Sequence, residues 1–293
     1  MSKVLGSQGW EEYLDGFSGD RVVFHPNPGN AGDSLIAAGT LSVFRRVGLR
    51  FQMDSGEQAE VRGRVLMHGG GGGFWGGNPV VAGYLKRHAA MAKRLVLLPQ
   101  TVTGHAECLR DLGSNVDLFC REQRSLDELS GLELQANVYL AEDLALHLPA
   151  REYLQGWNHW RLFVGSPSRG FKGWRRYRAL LRRNPDRSVL QAFRGDGERS
   201  EFRRDFTGRD EDVSRLFALG TRREAFIHAS AWYFLRAIDA FERVVTDRLH
   251  VAIGGALLGK PVQFYPGAYY KNRAVFEHSL KDKFPGVEWR EWG

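Results

Sequence analysis

The chain has 293 residues, 43% hydrophobic, 26% charged and 12% aromatic, which are the proportions of a folded globular chain and exclude disorder for its bulk. No apolar run reaches the length of a membrane-spanning helix. Two cysteines, Cys108 and Cys120, without C-x-x-C spacing exclude a disulfide framework and a cysteine-based zinc site.

The net charge of +7 admits nucleic acid, an anionic lipid surface or an anionic substrate as partner. Met1–Asp20 carries Glu11, Glu12, Asp15 and Asp20 and has no apolar centre, so it does not read as a signal peptide. The expected location is the cytosol, with a peripheral contact at the inner face of the membrane as the other option.

In chain order, Arg21–His25 reads as a strand, followed by a Pro/Gly/Asn turn and a helix through Leu35, Ile36, Leu41 and Phe44 that Asp33 would cap. Phe51–Asp54 and Val65–His68 are further strands. A glycine run, Gly69–Gly73, then leads through Phe74 and Trp75 to a helix from about Pro79 to Met91. Leu95–Leu98, Val116–Cys120 and Val138–Ala141 are three more strands. Ala150–Trp160 reads as a linker. Beyond it, Arg161–Gly165, Ser188–Phe193, Val244–Thr246 and Val262–Tyr265 are expected strands, with a helix over Arg222–Phe241. The segment 199–212 reads as a mobile loop. This alternation predicts an α/β fold of two Rossmann-like domains in tandem, 1–150 and 151–293, with a cleft between them.

Thr246–His250 is the most telling motif. Arg248 and His250 interrupt apolar sequence where a buried strand passes into a helix, and open α/β sheets hold ligands at such junctions. An arginine and a histidine beside free helix N–H groups suit an anion; a buried Arg–Asp pair is the structural alternative. Arg194 ends another strand, in Arg194-Gly195-Asp196-Gly197-Glu198, and can address a phosphate or carboxylate bidentately. Gly71, Gly73 and Gly76 fit G-x-G-x-x-G, but the acidic residue expected some twenty positions later is missing. Gly254–Lys260 resembles a phosphate loop, yet Pro261 stands where Ser or Thr should be.

Asn30 and Asp33 follow the first strand, Glu122 and Asp143 follow two later ones, and each carboxylate can either move a proton or cap a helix. The nine histidines lack metal-binding spacing, so no tightly bound metal is expected. From Arg175 to Arg204 the chain is strongly basic, with Trp174 and Tyr177 interleaved. A solvated helix face explains this first, anionic lipid second and nucleic acid third.

Taken together, Gly29–Asp33, the glycine run to Trp75, Leu98–Thr101, Cys120–Glu122 with Ser125, Ala141–Ala145, Arg194 with Asp196 and Glu198, and Thr246–His250 leading to Gly259–Val262 resemble the polysaccharide pyruvyl transferase family, in order and over nearly the whole chain. The glycine run is longer, and the C-terminal part shorter, than the usual pattern. The resemblance implies a GT-B-like fold, phosphoenolpyruvate as donor substrate, no cofactor, and a saccharide acceptor that becomes a pyruvate ketal across two hydroxyls of one hexose. It places Arg248, His250 and Arg194 on the donor.

His250, Asp33, Asp143 and Glu122 are then the candidates for acid and base. Asn30, Gly71, Gly72, Gly73, Phe74, Trp75 and Gln100 are the acceptor candidates, with Asn78 nearby. A nucleotide-sugar glycosyltransferase on the same fold, or a non-catalytic carbohydrate-binding protein of polysaccharide biosynthesis, are the alternatives.

Overall fold

Every strand pair among the described residues is parallel. The computed structural model describes residues 3–5, 9–54, 61–156, 159–197, 199–202 and 210–292, and it is a mixed α/β structure with two sheets. The chain divides into two compact units: residues 1–27 with 39–147, and residues 28–38 with 148–293. The second unit thus takes the segment 28–38 from early in the chain.

In the first unit the strands are β1 (Lys3–Val4), β2 (Val22–His25), β3 (Phe51–Met53), β4 (Val65–His68), β5 (Gly71–Trp75), β6 (Arg94–Thr103), β7 (Val116–Cys120) and β8 (Asn137–Leu140). Their order is β1-β8-β7-β6-β4-β2-β3, with β5 paired to β6. β4 and β7 are buried on both faces, and the charge that β7 carries, Asp117, is paired with Arg94 at 2.6 Å. The glycine run is not the loop expected from sequence. Gly71–Trp75 forms β5 and lies along the second half of β6, Gly71 opposite Gln100, whereas β4 lies along the first half. Pro99 sits at this change of partner, where the β6–β7 register also shifts, as a proline inside a sheet requires.

The second unit carries β9 (Val189–Ala192), β10 (Arg243–Thr246), β11 (Val262–Phe264) and β12 (Val287–Trp289) in the order β12-β11-β10-β9. The helices Glu224–Asp239 and Leu249–Leu257 cover it and are apolar almost all round, which marks them as core helices. Two expectations fail here. Arg161–Gly165 is helical, within His159–Gly165, and Ala150–Gly156 is a helix where a linker was expected. Three apolar side chains in a row, Leu162, Phe163 and Val164, are too few to separate a period of 2 from 3.6. Leu162 is buried while Val164 is 83% exposed, and Pro167 opens the next helix. No described helix is long and apolar enough to cross a membrane. Cys108 and Cys120 are both buried and unbridged, and burial pushes both thiols up, away from the reactive thiolate form.

Candidate functional site

In the second unit, β9 and β10 are neighbours, and each ends in an arginine at the same rim of the sheet. Asp247 ties the two ends together: its Oδ1 accepts from the Arg194 backbone N–H at 2.7 Å. Asn272 donates to the Asp247 carbonyl at 2.6 Å and to the Tyr265 carbonyl at 3.1 Å, which fastens the chain beyond β11 to the same rim. Arg248 occupies the residue before the helix Leu249–Leu257 in extended conformation and is 3% exposed. Its Nη2 donates to Asp196 Oδ2 at 3.3 Å and to Asp212. Arg194 donates to the two Asp196 oxygens at 2.8 and 3.3 Å.

Two guanidinium groups therefore share one carboxylate that is itself partly exposed. The Arg248 Nε–H is buried and has no hydrogen-bond partner among the described residues. A buried donor left unmade costs about 1–3 kcal/mol, so an acceptor arriving there is favoured. The sequence reading passed over Lys271, a third cation beyond β11, buried and placed 4.9 Å over the Tyr269 ring. Its only signal was its place just after a strand.

The structure brings the Gly29–Asp33 motif against the Thr246–His250 motif within this unit. Asn30, not Asp33, is the residue that caps the helix Ala31–Arg46: its Oδ1 accepts from Gly32 N–H at 2.7 Å, and Asp33 reaches back to accept from Asn30 N–H at 2.8 Å. This is a reciprocal cap. It requires glycine at 29, where a Cβ would lie 2.1 Å from the Asp33 carboxylate. Gly32 is required for a different reason: a Cβ there would lie 2.6 Å from His250 Nδ1. His250 thus stands at the first turn of two helices, Leu249–Leu257 and Ala31–Arg46. Glu198, the last residue of the Arg194 motif, and residues 203–209, half of the expected loop 199–212, lie outside the described residues.

In the first unit the expected candidates fare differently. Glu122 is fully buried and caps the helix Gln123–Ser130, accepting from the Ser125 backbone N–H at 3.0 Å and from its hydroxyl. Asp143 is fully buried against Arg121 Nη1 at 2.8 Å and accepts from Ala145 N–H at 2.9 Å. Glu122 thus serves as a helix cap and Asp143 as half of a buried ion pair, the structural alternatives to proton transfer. Phe74 is also buried, in the core, so its face is closed to a sugar. The Gln100 amide is spent inside, donating to Gly69 O at 2.8 Å and accepting from Gly73 N–H at 3.2 Å. Gln100 therefore shapes the glycine strand rather than facing a ligand. Asn78 caps the helix Pro79–His88. Trp75, 37% exposed, and the backbone of Gly72 and Gly73 remain accessible.

A second group in this unit was missed. His25 ends β2, His68 ends β4, and Asp54 follows β3; these are adjacent strands. His25 Nδ1 lies 2.7 Å from Asp54 Oδ2, so it is the ring's protonated nitrogen in the neutral form, and Nε2 keeps its lone pair. The His25 ring lies 5.2 Å from His68 and 4.7 Å from Tyr84. His68 is fully buried and donates from Nδ1 to Gly69 O at 2.9 Å. No group of three or more His, Cys, Asp or Glu among the described residues is arranged to hold a metal ion. Sequence held the signal, since three strands each end in an ionisable residue, but strand adjacency was needed to join them.

Burial, helped by His25 and His88 and opposed by Gly69 and Asp54, lowers the His68 pKa from 6.5 to about 3. His88 shifts the same way, chiefly by burial. The unfolded chain takes up a proton at His68 near pH 6.5, while the folded chain resists until about pH 3. The stability from neutral His68 is therefore complete above pH 6.5 and falls with acidification, by roughly 3 kcal/mol at pH 4. Urea unfolding at pH 7, 5 and 4 should show that slope in the parent and a flatter one in His68→Phe. Parallel slopes would remove His68 as its source.

The profile of the family described as polysaccharide pyruvyl transferase matches residues 30–264. Among solved structures, the chain is similar to a functionally uncharacterized protein of Klebsiella pneumoniae subsp. pneumoniae NTUH-K2044, with 26% identity, a TM-score of 0.74 and 96% of each chain covered. No curated protein matches.

Proposed function

We propose, from the premise that this chain belongs to the polysaccharide pyruvyl transferase family, that it transfers pyruvate from phosphoenolpyruvate to two hydroxyls of one hexose, leaving a cyclic ketal. The observation that carries the donor is the pair of arginines at adjacent strand ends, Arg194 and Arg248, with a buried guanidinium N–H awaiting an acceptor. Phosphoenolpyruvate bears a phosphate and a carboxylate, and two fixed guanidinium forks match that double anion. No cofactor enters this reading.

Proton transfer to the donor's methylene carbon makes C2 electrophilic. One sugar hydroxyl adds there, and a second displaces phosphate to close the ring. His250, packed against Gly32 at two helix starts, is our acid for the first step; Asp33 follows Gly32 in the helix Ala31–Arg46. The His25–Asp54 dyad of the first unit is a further group able to take a proton from a hydroxyl. Trp75 offers an aromatic face to the sugar.

The test is incubation with phosphoenolpyruvate and a panel of oligosaccharides, following phosphate release and a ketal methyl signal by NMR. A nucleotide sugar consumed in place of phosphoenolpyruvate would replace this reading with glycosyl transfer. Oligosaccharide binding without turnover would make the chain a carbohydrate-binding protein. His250→Ala should lower turnover at least 100-fold, the usual share of a positioned acid–base group being about 10²–10⁴. A folded His250→Ala enzyme of undiminished rate removes His250 from the chemistry.

A further inference from the structure

The helix Pro167–Arg183 sorts its basic residues into two sets. Arg176 and Arg183 are used by the fold: Arg176 donates to Leu216 O at 2.5 Å, and Arg183, although exposed, forms a two-pronged pair with Glu211 at 2.9 and 2.8 Å. Lys172, Arg175, Arg178 and Arg182 turn outward, and none has a carboxylate within ion-pair distance among the described residues. Phe171, Arg175, Arg178 and Arg182 are spaced i, i+4, i+7, i+11, so they form one straight stripe. The stripe is about 16 Å long at about 1.5 Å per residue.

The stripe also has an aromatic floor. Phe171 and Trp174 stack at 5.8 Å, with the Arg175 guanidinium 5.9 Å from the Phe171 ring and that of Arg178 5.6 Å from the Trp174 ring. Phe171 is 49% exposed, a large apolar group at the surface. These residues line a shallow groove of about 680 Å³. The opposite side of the helix is fixed in the unit: Leu180 is buried, and Gly173 lies so close to the Tyr233 ring that a Cβ would come within 2.2 Å of it. The Lys172 ammonium is held below its usual range first by the Arg176 charge, a sign that positive charge here is not neutralised from within.

We propose that this face docks on an anionic phospholipid bilayer. The occupant follows from the chemistry. Unneutralised cations are complementary to a layer of phosphates, and amphipathic aromatic side chains among them sit at headgroup depth. A straight row of cations along one helix face meets a plane of headgroups along its whole length. Single-stranded nucleic acid would use bare aromatic faces for base stacking, and here guanidinium groups lie over them. The proposal does not depend on the chemistry assigned to the chain, and its test reads binding alone.

The full chain should sediment with phosphatidylcholine vesicles containing phosphatidylglycerol at low salt, detach at high salt, and ignore vesicles of phosphatidylcholine alone. Each basic residue at an anionic surface contributes about a five-fold factor in partitioning. The triple substitution Arg175→Gln, Arg178→Gln, Arg182→Gln should therefore weaken binding on the order of 100-fold while leaving the circular dichroism and melting curve unchanged. Should the triple variant melt early, each single variant, with an expected loss of about five-fold, gives the same reading. Phe171→Ala should weaken binding to anionic vesicles without altering its salt dependence. Absence of binding by the parent at low salt overturns the proposal, as does equal binding by folded triple variant and parent, or equal binding to neutral vesicles. Binding to single-stranded oligonucleotides with none to vesicles would assign the stripe to nucleic acid instead.

Discussion

Arg248→Ala should abolish useful binding of phosphoenolpyruvate while the protein stays folded. Arg248 is buried at the end of a central strand, and its Nη2 is shared by Asp196 and Asp212. Truncating a buried, hydrogen-bonded charge in a binding site costs about 2–5 kcal/mol of affinity, a factor of roughly 30 to several thousand. The fold should tolerate the change because neither carboxylate is stranded: Asp196 keeps Arg194, and Asp212 is 21% exposed and able to hydrate while it caps the helix Val213–Leu216. Arg248→Lys should recover little, since an ammonium is a point charge and cannot reproduce a planar fork. Calorimetric titration with phosphoenolpyruvate, alongside circular dichroism, checks this. A folded Arg248→Ala protein that binds as the parent does would sink the donor-site assignment.

Much of this site was legible because its signal is local. Arg248 and His250 stand out at Thr246–His250 since charge interrupts apolar sequence at a strand-to-helix change, and that change can be read from the residues alone. The pairing of Gly32 with His250 spans more than two hundred positions and has no local signature. Strand identity failed where side chains carry no pattern. Gly71–Trp75 is a strand only because the second half of β6 offers it hydrogen bonds, and glycine gives no sign of that. The sequence does not separate the roles open to Gln100 and Glu122, for a related reason. A polar residue at a strand end looks the same whether it faces solvent or braces the next loop, and only the burial seen in the fold separates the two. The His25–Asp54 dyad needed the strand order β4-β2-β3, which single-strand patterns do not contain.

The second large effect concerns a residue outside the donor site. Arg121→Met should cost about 3–5 kcal/mol of stability, the penalty for removing one partner of a buried ion pair. Arg121 and Asp143 are both buried, and the guanidinium also donates from Nε to Thr101 Oγ1 at 2.9 Å, so one side chain braces the ends of β6, β7 and β8. Methionine fills the volume but leaves the Asp143 charge in a low-dielectric interior without its cation. Adding Asp143→Asn should restore more than half of the loss, because asparagine removes the charge and still accepts from the Ala145 N–H. Urea midpoints at constant slope, measured for parent, both single variants and the double, give the coupling directly. The same series separates two roles for Asp143. A proton-transferring carboxylate would lose turnover in Asp143→Asn with stability nearly intact, and its coupling to Arg121 would be small. A structural ion pair gives the reverse: a coupling on the order of 1–3 kcal/mol between the two sites, and a folded double variant that still binds phosphoenolpyruvate as the parent does.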